Sequence, residues 1–339
     1  MVVTPSDLEL ALDVGAAAWP ALRGARVLLT GGTGFFGVWL LATLQAADRR
    51  YELGVTVDVV SRAPDRFVGE HPSIAAWPGL SWITGDVRSF VARRPYTHAM
   101  LGATAASAAL NAEQPLEMFD VIVAGARHSL AQLRDRPRVL LVSSGAVYGR
   151  QPPELDEVPE TRLGQHDPLD PGNAYAIGKL AAEHLASAWG RGRGADVVIA
   201  RPFAFAGAGL PLDAHFAIGN FVGDAAAGRD IQVKGDGTAI RSYLYAPELA
   251  AWLWVLLTRG EAQRAYNVGS AEAVSIATLA TIVAASGGVG FRIEGVPVPG
   301  AAAARYVPDV RRVGEELDLV PRIGVRDGVA RMLAAVRGG

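Results

Sequence analysis

Cysteine is absent from the 339 residues, which excludes disulfide staples, cysteine-ligated metal sites and a cysteine nucleophile or acid/base. Lysine is nearly absent: of 32 basic side chains only Lys179 and Lys234 are lysine, and the other thirty are arginine. Charge of one sign is lacking too. With 34 acidic residues the net charge is −2, so the basic surface that displaces counterions from nucleic acid is missing. Met1–Glu9 shows no basic start followed by an apolar run, so no secretory leader is read there and a cytoplasmic location is expected. Val27–Ala47 carries no charge and on length alone could span a bilayer. Its middle, Thr30-Gly-Gly-Thr-Gly-Phe-Phe-Gly37, suits a turn and not a lipid-facing helix, so a strand, turn and helix are expected and no membrane span.

What is present is an α/β pattern. Half of the chain is apolar, and a chain this long can bury about three-quarters of its unfolded surface. Short apolar runs at Arg26–Thr30, Val55–Ser61, Trp82–Thr84, Ala99–Gly102, Val139–Ser143 and Val197–Ala200 alternate with longer Ala- and Leu-rich stretches. Runs that are apolar throughout need cover on both faces, which predicts βαβ units in a doubly wound, Rossmann-type parallel sheet. This dinucleotide-binding domain is expected over residues 26–202, with 230–258 returning to it as an option. After Phe203 glycine and proline become more frequent. A smaller C-terminal substrate-binding lobe is expected over most of 203–339, with strands at Ile231–Lys234 and Ala265–Val268 and helices at Pro247–Thr258 and Ser275–Ala285. Residues 1–25 read as a helical extension of unassigned purpose.

Three motifs carry chemistry. Gly31 to Gly37 fits the glycine pattern of a phosphate-binding turn, with an apolar strand entering and an apolar helix leaving, so Gly31, Thr33, Gly34, Phe35, Phe36 and Gly37 are candidate dinucleotide contacts. The second strand ends in Ser61-Arg62 and lacks a terminal carboxylate for ribose hydroxyls. An Arg beside a Ser can take a 2′-phosphate, which leans the cofactor toward NADP over NAD; Asp58 lies within the strand with no assigned direction. Asp86-Val87 would lie near the adenine, or Asp86 would cap the residues that follow.

Tyr175-Ala-Ile-Gly-Lys179 sets a phenol and an ammonium on one helix face. The ammonium is expected to lower the phenol's pKa so that Tyr175 exchanges a proton with a substrate hydroxyl. Lysine retained in so arginine-rich a chain suits a need for a compact ammonium. Leu140–Val142 runs into Ser143 and Ser144, hydroxyls expected beside the nicotinamide, with Ser144 bonding the reacting oxygen. No Gly-x-Ser-x-Gly elbow surrounds them, so a hydrolase is not implied.

Together, Thr30–Gly37, Ser143-Ser-Gly-Ala-Val-Tyr-Gly149, Tyr175-x-x-x-Lys179 and Arg241-Ser-Tyr-Leu-Tyr245 resemble the extended short-chain dehydrogenases/reductases, in the nucleotide-sugar epimerase/dehydratase branch, from about Arg26 to Arg337. The resemblance implies an NAD(P) cofactor, a nucleoside-diphosphate sugar as ligand, a homodimer, and no metal. It implies Ser144, Tyr175 and Lys179 as the catalytic set, Ala103 and Thr104 along the cofactor cleft, and Pro202 over the nicotinamide. Asn220 and Arg241 match positions facing the sugar nucleotide, and Arg305 is a further candidate. Gly145-Ala146 stands where 4,6-dehydratases of the family carry an acidic pair, Ala204 where many members have Asn, and Glu248 where many have Asp. The expected reaction is C4 epimerisation of an NDP-hexose through a 4-keto intermediate; an NADPH-dependent 4-ketoreductase is the alternative, and a non-enzymatic dinucleotide sensor a third.

Overall fold

The computed structural model describes residues 3–104, 108–214 and 216–338. Seven short strands form one parallel sheet: β1 (Arg26–Thr30), β2 (Thr56–Ser61), β3 (Leu80–Thr84), β4 (His98–Leu101), β5 (Arg138–Val142), β6 (Val197–Pro202) and β7 (Arg264–Val268). Their order is β7-β6-β5-β4-β1-β2-β3, and every pairing is parallel. Successive strand residues face opposite sides, so both faces are apolar and both are covered. Val27, Leu29, Val57, Val59, Leu140 and Val142 pack with helices Phe35–Tyr51 and Ala246–Arg259. Leu28, Val60, Leu101, Val139 and Leu141 pack under helices Pro115–Gln132 and Ala174–Arg193. Strand order reverses direction between β1 and β4, and that switch point opens a crevice at their carboxyl ends.

The segment returning to the sheet differs from the expected 230–258. Ile231–Val233 pairs with Phe291–Ile293 outside the central sheet, whereas Ala246–Arg259 packs on it and β7 forms its edge beside β6. The physical reason lies in the helix: every residue from Ala246 to Leu257 is buried, and a helix apolar all round must sit between layers. The second lobe has its own core, built from Phe221, Val222, Ile231, Leu279, Val283 and Met332 among others. A three-stranded ribbon in this half sets Ile240–Arg241 between Val274–Ser275 and Arg305–Tyr306. At the start, helix Pro5–Val14 and the turn Trp19–Leu22 replace one continuous helix; residues 1 and 2 lie outside the described residues. Among the described residues no helix is long and apolar enough to cross a membrane, which agrees with the turn reading of Val27–Ala47.

Candidate active site

The glycine turn leaves β1 at the switch point. Gly31 has φ +80, a left-handed conformation that side chains resist, and a Cβ there would lie 2.7 Å from the Gly102 carbonyl oxygen after β4. A Cβ on Gly37 would lie 2.2 Å from the Gly32 backbone, so the helix starts in direct contact with the turn. Helix Phe35–Tyr51 begins at Gly34 with no side-chain cap on its first amides. Uncapped amides at the positive end of a helix, reached through glycine, fit a pyrophosphate. The residues present therefore suit a dinucleotide. Thr33, Gly34, Phe35 and Phe36 lie at this mouth, and Phe35 and Phe36 pack against Phe205.

At the end of β2, Ser61 accepts from the Ala63 amide and Arg62 is exposed, with Asp86 in its field. Asp58 is turned into the protein, where it accepts from Arg94 and from the Tyr96 hydroxyl at 2.8 Å, so it is not available to a ribose. Asp86 accepts from the Arg88 amide and guanidinium, and Arg88 holds its carboxyl below the usual range; it forms a local turn and caps no assigned helix. Val87, Ala103, Thr104, Thr30 and Lys179 line one cavity, and the Ala103 amide donates to Thr30 Oγ1. Pro202 is buried at the end of β6, in register with Val268.

Ser144, Tyr175 and Lys179 meet at the carboxyl end of β5. Tyr175 is the second residue of helix Ala174–Arg193, and its amide donates to Asn111 Oδ1. One turn on, Lys179 is buried and donates to the Val142 carbonyl at 3.0 Å, with its Nζ 5.7 Å from the Tyr175 ring centroid. Burial pulls the Lys179 ammonium down to about 8, opposed by Glu183. Tyr175 does not follow the expected direction. Burial raises it above the ordinary phenol value, and the Ser144 hydroxyl pulls it the other way. Ser144 Oγ also accepts from the Ala146 amide.

Ser143 departs from expectation as well. Its hydroxyl donates to Glu183 at 2.6 Å in the interior, because neighbouring side chains at a strand end point to opposite faces. Glu183 is gripped by Arg201 through two bonds, Arg201 also donates to the Tyr148 hydroxyl, and Tyr148 donates to Asn267. This buried network behind Lys179 escaped the sequence reading, although Glu183 continues the four-residue spacing of Tyr175 and Lys179.

On the lobe side, Asn220 has a buried Oδ1 with no partner among the described residues, an acceptor consistent with a ligand there. Arg241 donates to the Ile240 and Ala304 carbonyls and forms no ion pair among the described residues. Arg305 instead pairs with Asp156 at 3.2 Å. Tyr306, which no motif flagged, stands in register with Arg241 and packs on Phe203 with ring centroids 4.5 Å apart. Glu248 is fully buried and accepts from the Ile323 amide at 3.2 Å, a structural role. Among the described residues no cluster suits a metal ion.

A doubly wound sheet with a glycine turn and a Ser-Tyr-Lys group at its switch point defines the extended short-chain dehydrogenase/reductase class. The chain belongs to the NAD dependent epimerase/dehydratase family, whose model matches residues 27–269. UDP-glucuronic acid decarboxylase 1 of Arabidopsis thaliana is 32% identical over 59% of this chain and 45% of that protein, so the match spans less than half of the relative's own length. The dTDP-glucose 4,6-dehydratase of an Actinoplanes species is 27% identical over 92% of this chain and 98% of the relative. UDP-glucose 4-epimerase of Thermotoga maritima, solved with UDP-glucose, superposes with a TM-score of 0.74 at 18% identity, covering 92% of this chain and 99% of that one. The last likeness concerns the fold.

Proposed function

We propose that the protein is an NAD(P)-dependent nucleotide-sugar oxidoreductase that inverts C4 of an NDP-hexose through a 4-keto intermediate. The convergence of Ser144, Tyr175 and Lys179 at the crevice beside the glycine turn carries this reading. The nicotinamide supplies a reversible hydride acceptor. Tyr175 takes the C4 hydroxyl proton in its phenolate form, which the Ser144 hydroxyl favours against burial, Ser144 holds the substrate oxygen, and Lys179 carries a charge beneath them. A nicotinamide held at the glycine turn would take the C4 hydride and give it back, and Tyr175 would return the proton to the rotated ketone.

C4 oxidation opens dehydration and decarboxylation too, the activities named for the relatives. Elimination needs an acid/base pair next to Ser144, and Gly145-Ala146 supplies none. A Cβ at Gly145 would lie 2.6 Å from the Tyr306 hydroxyl, so the space for an acidic side chain is taken. Arg241 and the Asn220 Oδ1, which has no partner among the described residues, support a diphosphate sugar in the lobe. An exposed Arg62 with Asp58 sequestered supports a 2′-phosphate and favours NADP; it also favours the second reading, an NADPH-dependent reductase of an NDP-4-keto-6-deoxy sugar.

The test is incubation with UDP- and dTDP-hexoses, each with NAD and with NADP in catalytic amount, followed by NMR of the sugar. C4 inversion without net cofactor consumption is expected, and Tyr175→Phe should lower it by about 10²–10⁴-fold. Stoichiometric NADPH oxidation with 4-keto sugars would select the reductase. No turnover of either kind would reject both readings.

A further inference from the structure

Tyr175 sits in the first turn of helix Ala174–Arg193, where a backbone amide has no partner within the helix. The capping residue, Asn173, makes no side-chain bond to those amides. Its side chain donates backwards instead, to the Asp167 carbonyl and to Asp170. The Tyr175 amide finds its partner elsewhere in the chain. Asn111, on helix Ala108–Glu113, accepts from that amide through Oδ1 at 3.0 Å and donates through Nδ2 to the Gly172 carbonyl at 2.8 Å. One flat side-chain amide thus spans the turn Pro171–Asn173 and the helix start, with a bond on each side of the cap. The two bonds also fix which way it faces, because a reversed amide would set NH2 against N–H and oxygen against oxygen.

We propose that Asn111 is a positioning residue for Tyr175, holding the first turn of its helix so that the phenol stays aimed at the cofactor crevice. The anchor stands on the cofactor side of the molecule. Asn111 follows β4 along the connection whose first residues, Ala103 and Thr104, line one cavity with Lys179. The Gly102 and Ala103 amides donate to Thr30 Oγ1, at the end of β1 beside the glycine turn. The stretch of chain that lines the cofactor cavity therefore also sets the backbone of the residue that moves the proton. Two other tethers hold the helix further along, Lys179 on the Val142 carbonyl and Glu183 on the Ser143 hydroxyl, and Asn111 holds its start. The chemistry of the side chain is specific, since a carboxylate or a hydroxyl of this reach does not offer an oxygen and an NH2 in one plane. Asn111 is half-buried, so water can satisfy the Tyr175 amide when the side chain is removed, and little stability is lost with it. What is lost is direction, because a water molecule is not tied to Gly172, and displacing a reacting group by an ångström costs up to about 100-fold in rate.

The inference rests on the reading of Tyr175 as the proton-transfer group, and its test follows that phenol directly with NADPH as the only ligand. Tyrosine is labelled with carbon-13 at Cζ, and of the eight tyrosine signals the one that Tyr175→Phe removes belongs to Tyr175. In the wild type this signal should shift as NADPH fills the crevice. In Asn111→Ala the NADPH-induced shift should fall by about half or more, while the urea midpoint and the NADPH Kd stay at their wild-type values, as expected when water takes over a half-exposed bond. Asn111→Asp keeps an oxygen to accept from the Tyr175 amide, and it should retain more of the shift than Asn111→Ala does. A full wild-type shift in Asn111→Ala would overturn the proposal and leave the role of Tyr175 standing. Loss of the shift together with a lowered urea midpoint in both variants would also overturn it, since that marks a structural role alone. A wild-type Tyr175 signal indifferent to NADPH would overturn it along with the reading of Tyr175 on which it rests.

Discussion

Lys179 shows how much one buried charge depends on its surroundings. Taking an ammonium out of water lowers its pKa, and Glu183 one turn further along the helix limits the fall to about 8. The direction fixes a pH dependence. Below about 8 the ammonium persists; as pH rises through that value it is lost, and with it the attraction for an anionic dinucleotide. NAD(P)H affinity, followed by nucleotide fluorescence, should therefore weaken above about pH 8 in the wild type and stay level in Lys179→Met. Parallel curves for the two proteins would contradict this. Lys179 and Tyr175 were legible in the sequence because a four-residue spacing defines one helix face. Tyr306 was not, because no spacing rule links a residue in a late ribbon to a loop after β5. The raised state of Tyr175 was equally hidden, since burial can be read only from the fold.

The element that positions the dinucleotide is the strand, turn and helix from Arg26 to Tyr51, and its glycines divide into two kinds. At Gly37 a side chain would collide with the Gly32 backbone at 2.2 Å, whereas at Gly34 the nearest protein atom to a Cβ is the Gly31 oxygen at 3.7 Å. The first glycine serves packing between helix and turn. The second faces open space, which suits close approach by a ligand. Gly37→Ala is expected to lower stability by about 1–3 kcal/mol, as overpacking does. Gly34→Ala should keep the wild-type urea midpoint and lose NAD(P)H affinity by tenfold or more. If Gly34→Ala instead binds as the wild type does, the turn does not meet the pyrophosphate there. This element was readable from sequence because glycines between two apolar runs have few other uses. β7 was recognised as a strand but not as a member of the main sheet, since a five-residue run carries no mark of which neighbour it will pair with.

At the scale of the whole molecule, the amino-terminal segment is part of the main core and not an appendage. Ala11, Leu12, Trp19 and Leu22 are buried with the helices Phe35–Tyr51 and Ala246–Arg259, and Trp19 donates through Nε1 to the Leu12 carbonyl. Its purpose was not legible beforehand because its burial depends on the helix Ala246–Arg259 arriving from far along the chain. Asp7 closes the arrangement. It is buried, with the Tyr245 hydroxyl donating to it at 3.0 Å and Arg331 at 3.1 Å. One carboxylate thus joins the first helix, the residue that opens helix Ala246–Arg259, and the last helix Val325–Arg337. Removing it leaves a buried phenol unpartnered, a change that costs about 1–3 kcal/mol, while Arg331, more exposed, can turn to water. Asp7→Ala should therefore lower the urea midpoint by an amount in that range with an unchanged slope. Tyr245→Phe, which removes the stranded hydroxyl as well, should recover most of the loss when combined with it, so the double variant would be more stable than Asp7→Ala alone. If the double variant is no more stable, the carboxylate holds the two ends of the chain through Arg331 and not through the phenol.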